Sequence, residues 1–183
     1  MPPGPRRYMQ LLLTFQVGRM STPYEIGLAT PEDIPGILAL QEDNFIDNGG
    51  SLSVRLPAEW FAGAMREMPL VVARRDGIVV GYVVATSLTA QMHIPIVQAM
   101  VARFPPPPDC FIQGPVCVAA SERGKGLVGL MFADMRARLP RAVITFIRSD
   151  NAPSLRAHEK MDIRVVGEFD HNGARYSALA YTP

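Results

Sequence analysis

The sequence predicts a mixed α/β domain, a mostly antiparallel sheet with helices on both faces, and three observations carry that expectation. An Asp76-Gly77 pair sits between two apolar, β-type runs, as the turn of a hairpin does. A strand, a short polar loop with glycines and an amphipathic helix follow one another across residues 116–139. An Asn172-Gly173 pair then sits inside a second hairpin pattern. The bulk numbers fit one such domain. The chain has 183 residues, 48% of them hydrophobic and 19% charged, which is enough apolar material for a core and excludes a mainly disordered chain.

Taken in order, residues 24–29 read as a short strand, and Thr30-Pro31 marks a helix start. Ile34, Ile37, Leu38 and Phe45 recur at helical spacing. Pro35 lacks a backbone donor, so this helix is expected to begin irregularly. A glycine loop at residues 48–50 precedes a second helix at 57–68 carrying Trp60, Phe61 and Met65. Strands at 70–74 and 79–85 form the first hairpin. Residues 93–104 place Ile94, Val97, Met100, Val101 and Phe104 at helical intervals before a proline run at 105–108 forces an extended exit. This helical insertion is expected to cover one edge of the sheet. A strand at 111–118, a helix at 127–139, a strand at 142–147, a helix from Asn151 to Met161 and a final hairpin complete the reading.

Charge and cysteine usage narrow the function. The formal charge is +1 and the 18 basic residues are scattered, so no broad footprint for nucleic acid is present. Cys110 and Cys117 do not form an obvious disulfide framework, and no Cys/His spacing resembles a metal site, which points to a reducing, cytoplasmic setting. No apolar run approaches the length of a membrane span. Residues 1–19 hold Arg6, Arg7 and an interrupted apolar run. We read them as a tail before an internal start at Met20, with the domain at 20–183, rather than as a secretion signal.

The chemistry concentrates in the segment VCVAASERGKGLVGL, residues 116–130. A helix start presents free N–H groups and the positive end of its dipole, and glycines let the chain approach a phosphate closely. Arg123 and Lys125 are expected to add charge-assisted bonds of roughly 1.5–3 kcal/mol each before binding costs. The alternative is a plain solvated turn. A competing motif also exists, because Gly124, Gly126 and Gly129 spell G-x-G-x-x-G with Asp150 further on. A dinucleotide fold puts its first glycine directly after the strand, whereas residues 119–123 intervene here, and the closing Asn-Gly hairpin argues against a doubly wound sheet.

Together with Asn151, Ser154, His158 and Lys160 after the next strand, the run Arg123-Gly124-Lys125-Gly126 behind Val116-Cys117-Val118 resembles the GNAT acetyltransferase superfamily over about residues 20–181. The resemblance implies a splayed pair of parallel strands and acetyl-CoA as cosubstrate, with no metal. It implies that backbone at Val116, Cys117 and Val118 pairs with the pantetheine arm. Arg123, Gly124, Lys125, Gly126, Leu127, Val128 and Gly129 would hold the pyrophosphate, and Asn151 and Ser154 would flank the arm. The sequence departs from the family where Val128 replaces glycine or alanine, where His158 replaces tyrosine, and where Asp162-Ile163 replaces Gly-Phe.

The implied reaction is direct attack of a neutral amine, on a small molecule or a peptide, on the thioester. By position, His158 is the candidate acid, with a satisfied helix histidine as the other reading. Glu42, with Asp43 beside it, is a candidate base, set against a solvated helix face and a water base. Trp60, Phe61, Met92, Ile96 and Met100 are candidates for the acceptor side, or else core. A homodimer through the edge of the last hairpin is a further expectation. Two other functions stay open: an acyl-CoA sensor without turnover, and a dinucleotide-dependent oxidoreductase.

Overall fold

The computed structural model describes residues 22–183, so the reading of residues 1–19 as a tail lies outside the described residues. Strand β1 (Glu25–Leu28) leads into a 3-10 turn (Pro31–Asp33) and helix α1 (Ile34–Asp43). Pro35 thus sits in the first turn, where no N–H partner is lost, and the irregular start is the 3-10 turn before it. The Asp33 carboxylate accepts from the Thr30 N–H at 2.7 Å and from Arg74 at 2.5 and 2.8 Å, tying this turn to the next strand. Helix α2 (Ala58–Glu67) precedes the hairpin β2 (Leu70–Arg75) and β3 (Ile78–Ser87). At its turn Asp76 and Gly77 both have positive φ, 52° and 78°, the backbone that suits a two-residue hairpin loop.

Helix α3 (Leu88–Gln91) was not expected. Its sign is Ser87, whose hydroxyl accepts from the Ala90 N–H at 3.2 Å as an N-cap. Then come α4 (Pro95–Arg103), β4 (Phe111–Val118), α5 (Leu127–Arg138), β5 (Val143–Arg148), α6 (Ala152–Glu159), β6 (Arg164–His171) and β7 (Ala174–Tyr181). The 7-stranded sheet runs β1-β2-β3-β4-β5-β7-β6, and every neighbouring pair is antiparallel except β4 with β5. A doubly wound dinucleotide fold has a mostly parallel sheet, so the oxidoreductase alternative falls here.

Both faces are covered. On one, Leu127, Met131 and Met135 of α5 pack with Val83, Phe111, Val143 and Leu179, and Met161 and Ile163 close the end of α6 onto the same cluster. On the other, Ile37, Leu40 and Phe61 from α1 and α2 cover Val72, Tyr82, Val84 and Cys117, while Val97 and Met100 from α4 cover Ile112, Ile144, Phe169 and Ala178. The α4 insertion therefore lies on a face, not over an edge. Gly167 lets it seat there, since a Cβ at that position would stand 2.4 Å from the Phe104 ring. Phe61 and Met100 are core residues in these clusters, and Trp60 and Ile96 pack against them; Met92 is partly exposed.

Candidate active site

Strands β4 and β5 pair at only two positions, Phe111 with Val143 and Ile112 with Ile144, and then diverge. The cause is visible on β4. Between Val83 and Ala85 of β3 the partner strand steps from Val116 to Gln113, so Gly114-Pro115 carries an extra residue, and the register shifts. Such a bulge bends the strand and interrupts the alternation of its side chains. Cys117 consequently joins the α1–α2 side, and Val118 joins the α5 side. Beyond the bulge the backbone of Val116, Cys117 and Val118 pairs with β3 on one side and, among the described residues, has no strand on the other. At the apex of the fork, the Thr145 hydroxyl donates to the Gln113 carbonyl at 2.7 Å, bridging the strands one position beyond their last pair.

The glycine loop opens beside this fork. Gly124 and Gly126 take positive φ, 77° and 79°, and Gly126 is the N-cap of α5 with no side chain capping the helix. The first-turn amides of Leu127, Val128 and Gly129 therefore have no carbonyl of their own helix to bond. A Cβ built at Gly124, Gly126 or Gly129 meets nothing within 4 Å, so the space over the loop is open. Val128 does not close it, because that side chain leans on the α5 core cluster. First-turn amides without a helical partner, glycine backbone and a helix dipole are what an anion site is built from.

The two loop cations are already engaged. Lys125 Nζ donates to Glu122 at 3.0 Å, and Arg123 donates to the Asn44 side chain at 3.1 Å and to the Val118 carbonyl at 3.4 Å. Glu122 is a residue that sequence reasoning passed over. It is 3% exposed, yet it accepts from Tyr24 Oη at 2.5 Å and Arg75 at 2.9 Å as well as from Lys125. These donors, the tyrosine first and the lysine next, hold its carboxyl down at about 2. The loop is thus pinned by an anion through Lys125. Only an acidic residue inside a basic loop hinted at this.

On the other side of the fork, Asn151 caps α6 by accepting from the Ser154 N–H at 3.2 Å. His158, 5% exposed, turns its ring inward. Its Nδ1 lies 2.8 Å from the Ser154 carbonyl and so carries the proton, and its Nε2, 3.3 Å from Gln113 Nε2, accepts from that amide. Burial lowers its pKa, against a smaller opposing effect of the Ser154 bond. A neutral histidine whose only free lone pair is occupied matches the satisfied helix histidine better than the acid. Asp162 takes positive φ, 63°, as the left-handed cap after α6, with the Ile163 N–H returning to the His158 carbonyl at 3.0 Å.

Glu42 lies at the exposed end of α1, paired with Arg55 through two bonds of 2.9 Å and with the Asn48 side chain at 3.1 Å. The guanidinium holds its carboxyl below the usual range, which weakens it as a base. Three buried side-chain atoms have no hydrogen-bond partner among the described residues: Tyr82 Oη, Thr86 Oγ1 and Gln113 Oε1. All three belong to β3 and β4, on either side of the bulge. Each such orphan costs about 1–3 kcal/mol, and the three divide between the faces: Tyr82 joins the α1–α2 cluster, whereas Gln113 stands opposite Ala85 of the α5 cluster. A groove of about 420 Å³ continues from the glycine loop, between Gly129, Ala133 and Arg136 of α5 and Lys160, Met161 and Asp162 after α6. Among the described residues no cluster of three or more His, Cys, Asp or Glu is placed to hold a metal ion, and no helix is long and apolar enough to cross a membrane.

No family model and no curated relative matches the chain by sequence. Solved structures do match by shape. An N-acetyltransferase from Staphylococcus aureus Mu50 superposes with a TM-score of 0.63 at 20% identity, covering 87% of this chain and 98% of its own. A ribosomal-protein-alanine N-acetyltransferase from Brucella melitensis gives 0.64 at 22% identity, over 87% and 99%. A GNAT superfamily phosphinothricin acetyltransferase from Sinorhizobium meliloti, in complex with acetyl-CoA, gives 0.65 at 16% identity, over 88% and 89%. The chain has the GNAT fold. In GNAT terms, the expected mostly antiparallel sheet with one splayed parallel pair is the sheet observed.

Proposed function

We propose that this chain is a GNAT-type N-acetyltransferase that moves the acetyl group of acetyl-CoA onto an amine of a small molecule or peptide. The observation that carries the reading is the open glycine cradle at the start of α5, set beside a fork where β4 has one unpaired edge. An extended, amide-bearing arm fits such an edge as an added half-strand, with its diphosphate on the amides of Gly124 to Gly129. The groove between Arg136 and Lys160 suits the nucleotide end. The two cations in the loop serve mainly to shape it, since both have partners within the protein.

In the reaction, the amine nitrogen bonds to the thioester carbon and the carbon–sulfur bond breaks. The amine gives up one proton and the departing thiolate takes one. Most of the acceleration then comes from holding the reactants in line, with backbone N–H groups near Val118 available to the developing oxyanion. With Glu42 paired and His158 sealed, water is our choice for the proton transfers. The free, buried Cys110 and Cys117 support a cytoplasmic setting, and the outer edge of β6 supports pairing of two copies.

Titration with acetyl-CoA should raise the melting temperature where NAD does not, because a ligand that binds only the folded state stabilises it. Stabilisation by NAD alone would refute the proposal. A second reading, an acyl-CoA sensor without turnover, is favoured by the sealed His158 and the paired Glu42. Thiol release with a panel of amines separates the two. Tight binding without any thiol release selects the sensor.

A further inference from the structure

We propose that Gln113 is a ligand-binding residue at the apex of the fork, its free Oε1 accepting the amide N–H of the carrier arm nearest the sulfur, with His158 as its positioning residue. The inference rests on the acetyl-CoA reading above and adds a side-chain contact to it.

Gln113 stands one residue beyond Ile112, the last position of β4 paired to β5, and just before the bulge at Gly114-Pro115. Its backbone carbonyl is taken by Thr145, and its side-chain nitrogen is taken by His158. That leaves Oε1, a buried acceptor with no donor among the described residues. The amide cannot be turned over to cure this. Nδ1 of His158 must carry the ring proton to bond the Ser154 carbonyl, so Nε2 needs a donor, and among the described residues the Gln113 N–H₂ provides it. The histidine therefore fixes which way the glutamine points, and the direction it fixes leaves the oxygen unfilled.

The arm's own geometry selects its sulfur end. The cradle lies past the C-terminal end of β4, and from Val118 back to Gln113 is five residues, about 16 Å at the rise of a strand. A chain anchored by its diphosphate at the cradle and laid along the free edge of β4 brings its far, thiol-bearing end to the apex. What arrives there beside the acyl group is an amide N–H, the donor that Oε1 lacks.

The experiment is a cycle between one variant and one ligand change, read as dissociation constants by calorimetry. Wild-type protein is titrated with coenzyme A, with an analogue in which an ester oxygen replaces the amide nitrogen nearest the sulfur, and with adenosine 3′,5′-bisphosphate. Gln113→Met is titrated with the same three. The expected result is that the ester analogue binds wild type about 3- to 10-fold more weakly than coenzyme A, as the loss of one hydrogen bond requires. Gln113→Met should show the same loss for coenzyme A, no further loss for the analogue, and unchanged affinity for the bisphosphate. Additive losses in the cycle would overturn the proposal, as would a wild type indifferent to the ester. That wild-type arm decides the matter even if the variant fails to fold. Failure of coenzyme A itself to bind wild type would instead sink the acetyl-CoA reading.

For the positioning role, His158→Phe should raise KM for acetyl-CoA in the same range and leave the shape of the kcat–pH profile unchanged. Disappearance of a kcat limb in that variant would make His158 an acid and overturn this part.

Discussion

His158 and Glu122 are buried polar residues in opposite electrical states, and acid should find both. The unfolded chain takes a proton on histidine near its ordinary value, about 6.5, while burial lowers the folded value. The unfolded state therefore binds more protons in the window just below 6.5, and stability contributed by neutral His158 is lost as pH falls through it. Melting curves of His158→Phe should show a shallower drop as pH falls below about 6.5 than those of wild type. Glu122 acts lower down. Its folded value near 2 lies below the ordinary 4.5, so its stabilisation is complete above 4.5 and disappears as pH falls towards 2. Glu122→Gln should be less stable than wild type at pH 7 and converge with it in acid. A difference that persists unchanged at pH 2 would contradict the assignment. Neither residue could be graded from the sequence, because a lone histidine on a helix and a glutamate in a polar loop look the same whether buried or solvated.

Elements were far more legible. The Asp76-Gly77 and Asn172-Gly173 turns, the Thr30-Pro31 helix start, the Asn151 cap and the left-handed Asp162 each follow from local backbone preference, and each appears where that preference puts it. What stayed hidden depends on contacts far apart in the chain. The short α3 is one case, and the docking of α4 is another. Its apolar stripe said that the helix would be buried, but only the Gly167–Phe104 approach says where. Gly167→Ala should therefore cost about 1–3 kcal/mol through overpacking, a fall of several degrees in Tm, and Phe104→Leu in the same chain should return part of it. The fork was legible only through resemblance. The bulge that opens it sets two residues, Gly114 and Pro115, against the single Val84 of β3, which no single-strand pattern displays. Asn151→Ala tests the other lip of the fork, with an expected loss of about 0.5–2 kcal/mol from the uncapped α6 and a matching fall in melting temperature.

Across the whole molecule, the sheet runs from β1 to β6, and the candidate site uses the place where β4 and β5 part after two paired positions. Covering helices on both faces keep the two halves of the sheet together around that gap. Saturating acetyl-CoA, at about 100 times its dissociation constant, should add about 2.7 kcal/mol to the unfolding free energy. A thermal shift with no dependence on acetyl-CoA concentration would contradict a site formed only by the folded chain. The Tyr24 hydroxyl, just ahead of β1, shares the Glu122 carboxylate with Lys125 of the loop. The outermost strand and the glycine loop thus answer to a single anion, and Tyr24→Phe, which removes one hydroxyl just ahead of the sheet's first strand, should slacken the proposed hold on acetyl-CoA without touching it.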